Sequence, residues 1–480
     1  MGRTKIVCTI GPASSKRSVL EKLLSAGMDV ARLNFSHGSH DQHAAVIQSL
    51  REVAARMGRP LAILQDLSGP KVRLGTFTAF VAGRGDTIGL TASPEVIATH
   101  PVTDSGRVVL PLPVPALFAA LRVKSRLLVD DDKVELRVLE RDGDVVWTRC
   151  VVGGELKPHK GVTALGVAFE VPAVTEKDRA DLRFGLQQGV DWVAASYVRC
   201  VEDLSPLRAI MAETGRRVPI IAKIEKFEAV RNFASILAAV DGVMVARGDL
   251  GVETPFDEVP IVQKRLIRLC NRAGKPVITA TQMLESMMQN PRPTRAEAAD
   301  VANAILDGSD AVMLSGETAA GQFPIEATRT MSRIAVRTES VFDSDGDYVK
   351  RLAPPSDATH AVARATANIA CEINAAAILC ATSSGKTARA VAQYRPKMRI
   401  VAVTSEKAVY HQLALTWGVV PVLSDAISNT DGLFEATINA AVRSRQVKEG
   451  DMVVISAGVP VNVAGNTNLI KVHKIGDRTI

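Results

Sequence analysis

Lys223 and Glu225 stand two residues apart in the apolar run IIAKIE, and Asp249 follows the next such run, GVMVARGD. On an extended strand residues two apart leave the same face, so an ammonium and a carboxylate can there meet one ligand. Two carboxylates with no histidine or thiolate beside them suit a hard, oxygen-preferring cation, Mg²⁺ or Mn²⁺, that completes its shell with substrate oxygens. With Arg32 added, a lysine, an arginine and a divalent ion around one pocket are the charges needed where a phosphoryl group passes between two oxygens. Sugar-phosphate isomerases and aldolases use similar parts. A Schiff-base role suits Lys223 less well, because flanking carboxylates keep an amine protonated. The plain alternative is a buried Lys–Glu pair that only holds its strand, a reading that Asp249 and the Arg247-Gly248-Asp249 turn weaken.

Such residues act together only if the fold carries them to one place. Eight short apolar runs recur: KIVCTI from Lys5, VARLN from Val30, LAILQD from Leu61, WVAAS from Trp192, IIAKIE from Ile220, GVMVAR from Gly242, PVITAT from Pro276 and AVMLS from Ala311. Helix-like stretches separate them, with capping signals at Thr175/Asp178 and Thr294/Glu297 and closing glycines such as Gly189. Eight apolar strands alternating with helices predict a closed parallel (β/α)8 TIM barrel, with an open doubly wound sheet as the alternative. A barrel of this kind builds its active site at the carboxyl ends of its strands. Arg32 and Asn34 fall there, followed by Ser36 and His37; so do Asp66, Ser196, Lys223, Glu225, Gly248, Asp249, Thr281, Ser315 and Glu317.

The barrel on this reading takes residues 1–70 and 172–342. Residues 71–171 turn to Val, Thr and Gly runs with a hairpin signal at Asp142-Gly143, which predicts an inserted all-β domain, a β-barrel lid over the mouth. After Asp343 a polar linker with Pro354 and Pro355 leads into residues 356–480, where AAAILCAT, RIVAVT, VVPVLS and DMVVIS predict a third, α/β domain. Three domains of about 150 residues are what 480 residues accommodate.

Composition narrows the partners. A hydrophobic content of 47% with 23% charged residues supports folding throughout. The formal net charge of +7 favours anions; nucleic acid is one candidate, yet aromatics are only 4% and no basic run is interleaved with Phe or Tyr as a single-strand platform requires, and phosphorylated small molecules fit equally well. The longest uncharged stretch, Met452 to Ile470, contains Gly458, Pro460 and three Asn, so no membrane span is expected. The start, MGRTKIVCTI, has no apolar signal core, and Ile6 stands where myristoylation needs Ser or Thr, which predicts a cytoplasmic chain. Six cysteines without a CxxC suggest neither zinc nor disulfides but small buried apolar residues.

ARLNFSHG from Ala31, LQDLSGPKVRLG from Leu64, IIAKIEKFEAV from Ile220, GVMVARGDLGVE from Gly242 and the long run ATQMLESMMQNPRPTRAEAADVANAILDGSDAVMLSGETA from Ala280, in that order, resemble the pyruvate kinases. The resemblance extends more loosely over essentially the whole chain. It implies transfer of the phosphoryl group of phosphoenolpyruvate to ADP, giving pyruvate and ATP in glycolysis. Carried over, it implies that Arg32 clamps the substrate phosphate, Glu225 and Asp249 hold Mg²⁺ and the Gly248 region receives the substrate carboxylate. Lys223 would neutralise the phosphoryl group in flight and the enolate, and Thr281 would lie where a proton reaches the enolate methylene. Asn34, Phe35, Ser36, His37, Arg73 and Lys177 would face the nucleotide, and the family precedent is a homotetramer. Members that need potassium carry an acidic residue where this chain has Lys71 and Thr where it has Leu67. An ammonium can take the electrostatic role of a monovalent cation, so K⁺ is expected not to be required although Asn34, Ser36 and Asp66 remain. Thr163-Ala164-Leu165-Gly166 stands where the family reads NLPG, and the lost proline loosens a hinge of the lid.

In the C-terminal part, Thr382, Ser383, Ser384, Gly385, Lys386 and Thr387 lie between a strand and a helix, where amides and hydroxyls can cradle a phosphate. This is no P-loop, since Cys380 stands where its first glycine belongs. The resemblance implies a phosphorylated effector, a sugar phosphate or a nucleotide; helix capping by Ser or Thr is the plain alternative. His37, His40 and His43 read as solvated residues at a helix start, and Met283, Met287 and Met288 as barrel packing. Two rival functions remain: a lyase or mutase of phosphoenolpyruvate or pyruvate on the same barrel, indifferent to ADP, and a basic non-catalytic nucleic-acid-binding protein.

Overall fold

The computed structural model describes residues 2–99, 108–130, 133–167, 171–255, 257–341, 355, 357–425, 430–459 and 466–477. The linker after Asp343, with Pro354, and Pro460 lie outside the described residues. Eight parallel strands close a barrel in chain order: Lys5–Ile10, Val30–Asn34, Ala62–Asp66, Trp192–Ala195, Ile220–Ile224, Gly242–Ala246, Val277–Ala280 and Ala311–Leu314, the last pairing with the first. These are the eight apolar runs of the sequence.

The side-chain period of two explains how one strand serves both core and mouth. Val7, Val30, Leu64, Ala194 and Ile221 fill the barrel interior together with Trp192, Met244 and Ile278. Two residues further along the same strands come Thr9, Arg32, Asp66, Ser196 and Lys223, so the inward face changes from apolar to polar as it nears the mouth. The intervening residues, among them Cys8, Leu33, Ile63 and Val243, pack outward against the helices. At the foot, Ala414 and Leu415 of the C-terminal domain join the interior cluster, and the Trp192 indole N–H donates to the Gln412 carbonyl at 3.2 Å. The foot is therefore sealed and the mouth open.

Both expected capping boxes form, Thr175 with Asp178 and Thr294 with Glu297. Gly189 ends the first of these helices at φ 75°, a left-handed conformation that a Cβ would strain. Between barrel strands three and four lie a six-stranded sheet and a two-stranded ribbon with their own core around Leu90, Leu110, Leu127 and Leu136. Its hairpin turns between Asp142 and Val145. The insertion is not purely β: Pro94–Thr99 and Pro115–Ala120 are short helices. Proline at the first helical position presets φ, and Leu117 and Phe118 pack the second helix onto the sheet.

The C-terminal sheet runs Val419–Leu423, Arg399–Thr404, Ala377–Ala381, Met452–Ala457 and Leu469–Lys474. The last strand, antiparallel and at the edge, was not among the expected ones; Lys471, His473 and Lys474 hide its pattern, as charges on edge strands do. Cys200 is partly exposed and Cys371 exposed, unlike the other four cysteines, because they sit in a turn and at a helix end rather than on packed faces. Among the described residues no helix is long and apolar enough to cross a membrane.

Candidate active site

The fifth barrel strand delivers Lys223 to the mouth with Glu225 just beyond it, and the Lys223 Nζ lies 2.9 Å from Glu225 Oε1. The same ammonium is 3.2 Å from Asp66 Oδ1 and donates to Ser196 Oγ at 2.7 Å. Arg32 donates through Nε to Asp66 Oδ2 at 2.6 Å and through Nη1 to Thr9 Oγ1 at 3.0 Å. Strands one to five thus supply one unbroken chain of contacts, Thr9, Arg32, Asp66, Lys223, Ser196 and Glu225, each at most 9% exposed. Asp66 is its hub. Sequence reasoning placed Asp66 at the mouth and in a monovalent-cation set, but not as the partner that joins Arg32 to Lys223.

Burial works against charge in all these groups, and the balance differs among them. At Lys223 burial opposes the ammonium, but Asp66 and Glu225 outweigh it and hold the amine protonated above the ordinary lysine range. At Asp66 burial favours the neutral acid, yet Lys223 and Arg32 prevail and keep it below the usual carboxylate range. Glu225 moves the other way: burial raises it, Lys223 opposes, and the like charge of Asp249 adds to the rise. Lys223 is consequently an electrostatic group and a poor nucleophile, which disfavours Schiff-base chemistry.

Glu225 and Asp249 line one cavity of about 320 Å³ together with Lys71, Tyr197, Arg199 and Lys226. Glu225 Oε2 accepts the Tyr197 backbone N–H at 2.7 Å, and Tyr197 holds φ 56°, a strained value for so bulky a residue. A main-chain donor has no residue-type signature, so nothing in the sequence pointed to Tyr197. Among the described residues no three His, Cys, Asp or Glu side chains gather as a metal cage. Two carboxylates alone are an oxygen donor set that fits a hard divalent ion taking its other ligands from water and substrate.

Strand seven ends in Thr281, whose Oγ1 accepts the Gly248 N–H at 2.8 Å and donates to the Ala280 carbonyl at 2.6 Å. On the other side of the mouth, Asn34 Oδ1 accepts the Ser36 N–H at 3.1 Å and Ser36 Oγ donates to Ser68 Oγ at 3.1 Å. Lys177 donates to the Phe35 carbonyl and to Asp181, both at 2.6 Å. The Phe35 ring itself is buried in the barrel core. Arg73 stands apart from this group, donating to the His159 carbonyl of the inserted domain at 2.9 Å. Leu67 is buried in the barrel packing.

His37 is exposed as expected, whereas His40 and His43 are packed against aromatic rings. His43 stacks on Phe35 at 4.0 Å between ring centroids, and His40 stacks on Phe184 at 4.2 Å while facing Asp181 at 2.8 Å. Phe184 of the helix Glu176–Gln188, far off in sequence, supplies for His40 what the local pattern could not reveal. Met283 and Met287 are fully buried packing residues. Thr382 Oγ1 accepts the Gly385 N–H at 2.9 Å, Arg389 donates to the Ser384 carbonyl at 3.0 Å, and Thr387 meets Thr467 at 2.8 Å. Gly385, at φ 80°, precedes the helix without a side-chain cap, while Ser383 and Lys386 are exposed.

A barrel mouth that gathers an arginine, a buried lysine held in its charged form and two carboxylates has the charges used by the enzymes that transfer phosphoryl groups. Residues 1–328 match the family model for the pyruvate kinase barrel domain, and residues 360–473 that for the pyruvate kinase alpha/beta domain. The chain is 48% identical over 482 residues to the pyruvate kinase of Geobacillus stearothermophilus, covering 99% of this chain and 81% of that one. It is 47% identical over 479 residues to pyruvate kinase 2 of a Synechocystis species, covering 98% and 79%. The chain belongs to the pyruvate kinase family, whose members depend on a divalent metal.

Proposed function

We propose that the chain transfers the phosphoryl group of phosphoenolpyruvate to ADP through Arg32, Lys223, Glu225, Asp249 and Thr281. Family membership fixes the reaction and its substrates, phosphoenolpyruvate and ADP, with pyruvate and ATP as products. The observation that carries the residue assignment is the Lys223 ammonium, buried between Asp66 and Glu225 and kept charged. Such a fixed charge costs no reorganisation when the phosphorus–oxygen bond of the substrate breaks and a bond to the ADP oxygen forms. Arg32, anchored on Asp66, holds the phosphate in line; Lys223 faces both that group and the enolate oxygen left behind. Thr281 delivers the proton that converts enolate to ketone, drawing it through a relay because a hydroxyl is too weak an acid alone.

Glu225 and Asp249 are the residues that would hold Mg²⁺ or Mn²⁺, which when bound supplies charge neutralisation for the transferring group. Lys177, Asn34, Ser36, His37 and the Phe35 backbone make the nucleotide side, with Arg73 contributing from the inserted domain. Closure of that domain excludes water, which would otherwise accept the phosphoryl group. Lys71 lines the cavity of Glu225 and Asp249, which supports its ammonium as a substitute for potassium. The loop Thr382–Thr387 suits a sugar-phosphate or nucleotide effector, and the working assembly is a homotetramer in the cytoplasm. Pyruvate release with and without ADP tests the assignment against a lyase or mutase, whose turnover would ignore ADP.

A further inference from the structure

Thr281 and Gln282 lie at φ 68° and 56°, two consecutive left-handed residues without a glycine, and Thr281 is β-branched. Such a turn persists only where its surroundings over-determine it. Two consecutive residues at the end of strand six grip Thr281 at both of its polar ends. Arg247 Nη2 donates to the Thr281 carbonyl at 2.6 Å, and the Gly248 N–H donates to the Thr281 hydroxyl at 2.8 Å. The guanidinium is itself fixed: Nη1 donates to Asp300 at 2.8 Å and to Gln263 at 3.4 Å, Nη2 touches Met283 Sδ at 2.8 Å, and the residue is 8% exposed. On the far side of the turn, Glu317 accepts the Leu284 N–H at 3.1 Å and the Ser315 N–H at 2.7 Å, binding it to strand eight.

We propose that Arg247 is the positioning residue of the proton-delivering step, holding the strained Thr281 turn so that its hydroxyl stays in register with Asp249. The inference rests on the reading of Thr281 given above. Arg247 touches no reacting atom. It acts because it shares a helical turn with Asp249 and fixes the carbonyl of Thr281, so the proton donor and the carboxylate two residues away move as one piece. Displacing a reactive group by an ångström costs about 100-fold in rate.

The test is the exchange of pyruvate methyl protons with deuterated water, which reads the proton step without phosphoryl transfer, measured beside kcat, the KM for ADP and the melting temperature. Arg247→Met is expected to lower methyl exchange and kcat by about 100-fold while the KM for ADP stays within about threefold. Arg247→Lys, which keeps the charge beside Asp300 but cannot also span to the Thr281 carbonyl, is expected to fold and to lose about 10-fold or more in exchange. Asp300→Asn, which leaves the guanidinium on Thr281, is expected to stay within about fivefold of wild type. Methyl exchange within about threefold of wild type in folded Arg247→Lys and Arg247→Met overturns the inference. Thr281→Ala separates the two readings: retained exchange there overturns the role of Thr281 itself, whereas exchange lost in Thr281→Ala but kept in the Arg247 variants overturns only the positioning.

Discussion

The two ends of the barrel bury acidic side chains to opposite ends. At the foot, the residue just before a strand is repeatedly an aspartate accepting a backbone N–H near the start of the preceding strand. Asp29 takes Ile6 at 3.0 Å, Asp191 takes Ile63 at 2.6 Å, Asp241 takes Ile220 at 2.9 Å and Asp310 takes Val277 at 2.9 Å. At the mouth, Asp66 takes two cations at once, Arg32 and Lys223, and Glu225 shares Lys223. The electrostatics follow. Burial pushes Asp191 up to about 6 despite Arg51 beside it, and burial also raises Asp310 against Arg395. Asp66, as deeply buried, is held below the usual range because two cations converge on it. The foot spends its carboxylates on stitching strands together; the mouth keeps charge standing in readiness for a ligand.

Substitutions at the mouth should therefore remove activity out of proportion to stability, and those at the foot the reverse. The largest effect is expected for Glu225→Gln: turnover about 1000-fold lower, unrelieved by excess Mg²⁺. A steady-state titration of the metal checks this, and turnover within about tenfold of wild type with an unchanged Mg²⁺ requirement would put the ligand elsewhere. Asp66→Asn, which loosens both Arg32 and Lys223 without touching either substrate, should cost about 100-fold in kcat, read in a coupled pyruvate assay. Lys71→Glu should leave a chain that KCl activates by about 10-fold over a tetramethylammonium control, whereas wild type responds to neither salt. Strong KCl activation of the wild type would contradict the assigned role of Lys71.

At the foot the expected effect falls on stability and not on turnover. Asp191 has a folded-state value raised from 3.8 to about 6, so its contribution is fully present below the unfolded value and lost as pH rises through the folded one. Between about pH 4 and pH 6 the wild type should lose up to about 3 kcal/mol relative to Asp191→Asn, with kcat unchanged near neutrality. Melting curves across that range check it; parallel shifts of the two proteins would mean that Asp191 is not the group titrating.

Much of the mouth was legible in the sequence because strand periodicity and residue type coincide there. Lys223 and Glu225 share a face by spacing alone, and the barrel rule selects the strand ends where Arg32, Asp249 and Thr281 stand. The foot was equally available and went unread: GMDVARLN, GVDWVAAS, AVDGVMVA and GSDAVMLS each set an aspartate just before an apolar run. What the sequence could not yield were contacts between distant segments and main-chain donors. The stacking of His40 on Phe184, the Tyr197 N–H on Glu225 and the Arg247 grip on Thr281 depend on backbone geometry that no local pattern encodes. The charged edge strand Leu469–Lys474 escaped for a different reason, since its exposure erases the apolar signature of a strand.

The most direct measurement is pyruvate release from phosphoenolpyruvate, with and without ADP, by wild type and Lys223→Met side by side, with circular dichroism and Mg²⁺ binding recorded on both. Removing the ammonium leaves Glu225 unneutralised and Asp66 with Arg32 alone, so the variant should melt lower yet remain folded and still bind the metal. Release that depends on ADP in the wild type and falls by about 1000-fold or more in the variant is the expected result. Turnover of folded Lys223→Met within about tenfold of wild type, or release indifferent to ADP, would contradict the central claim.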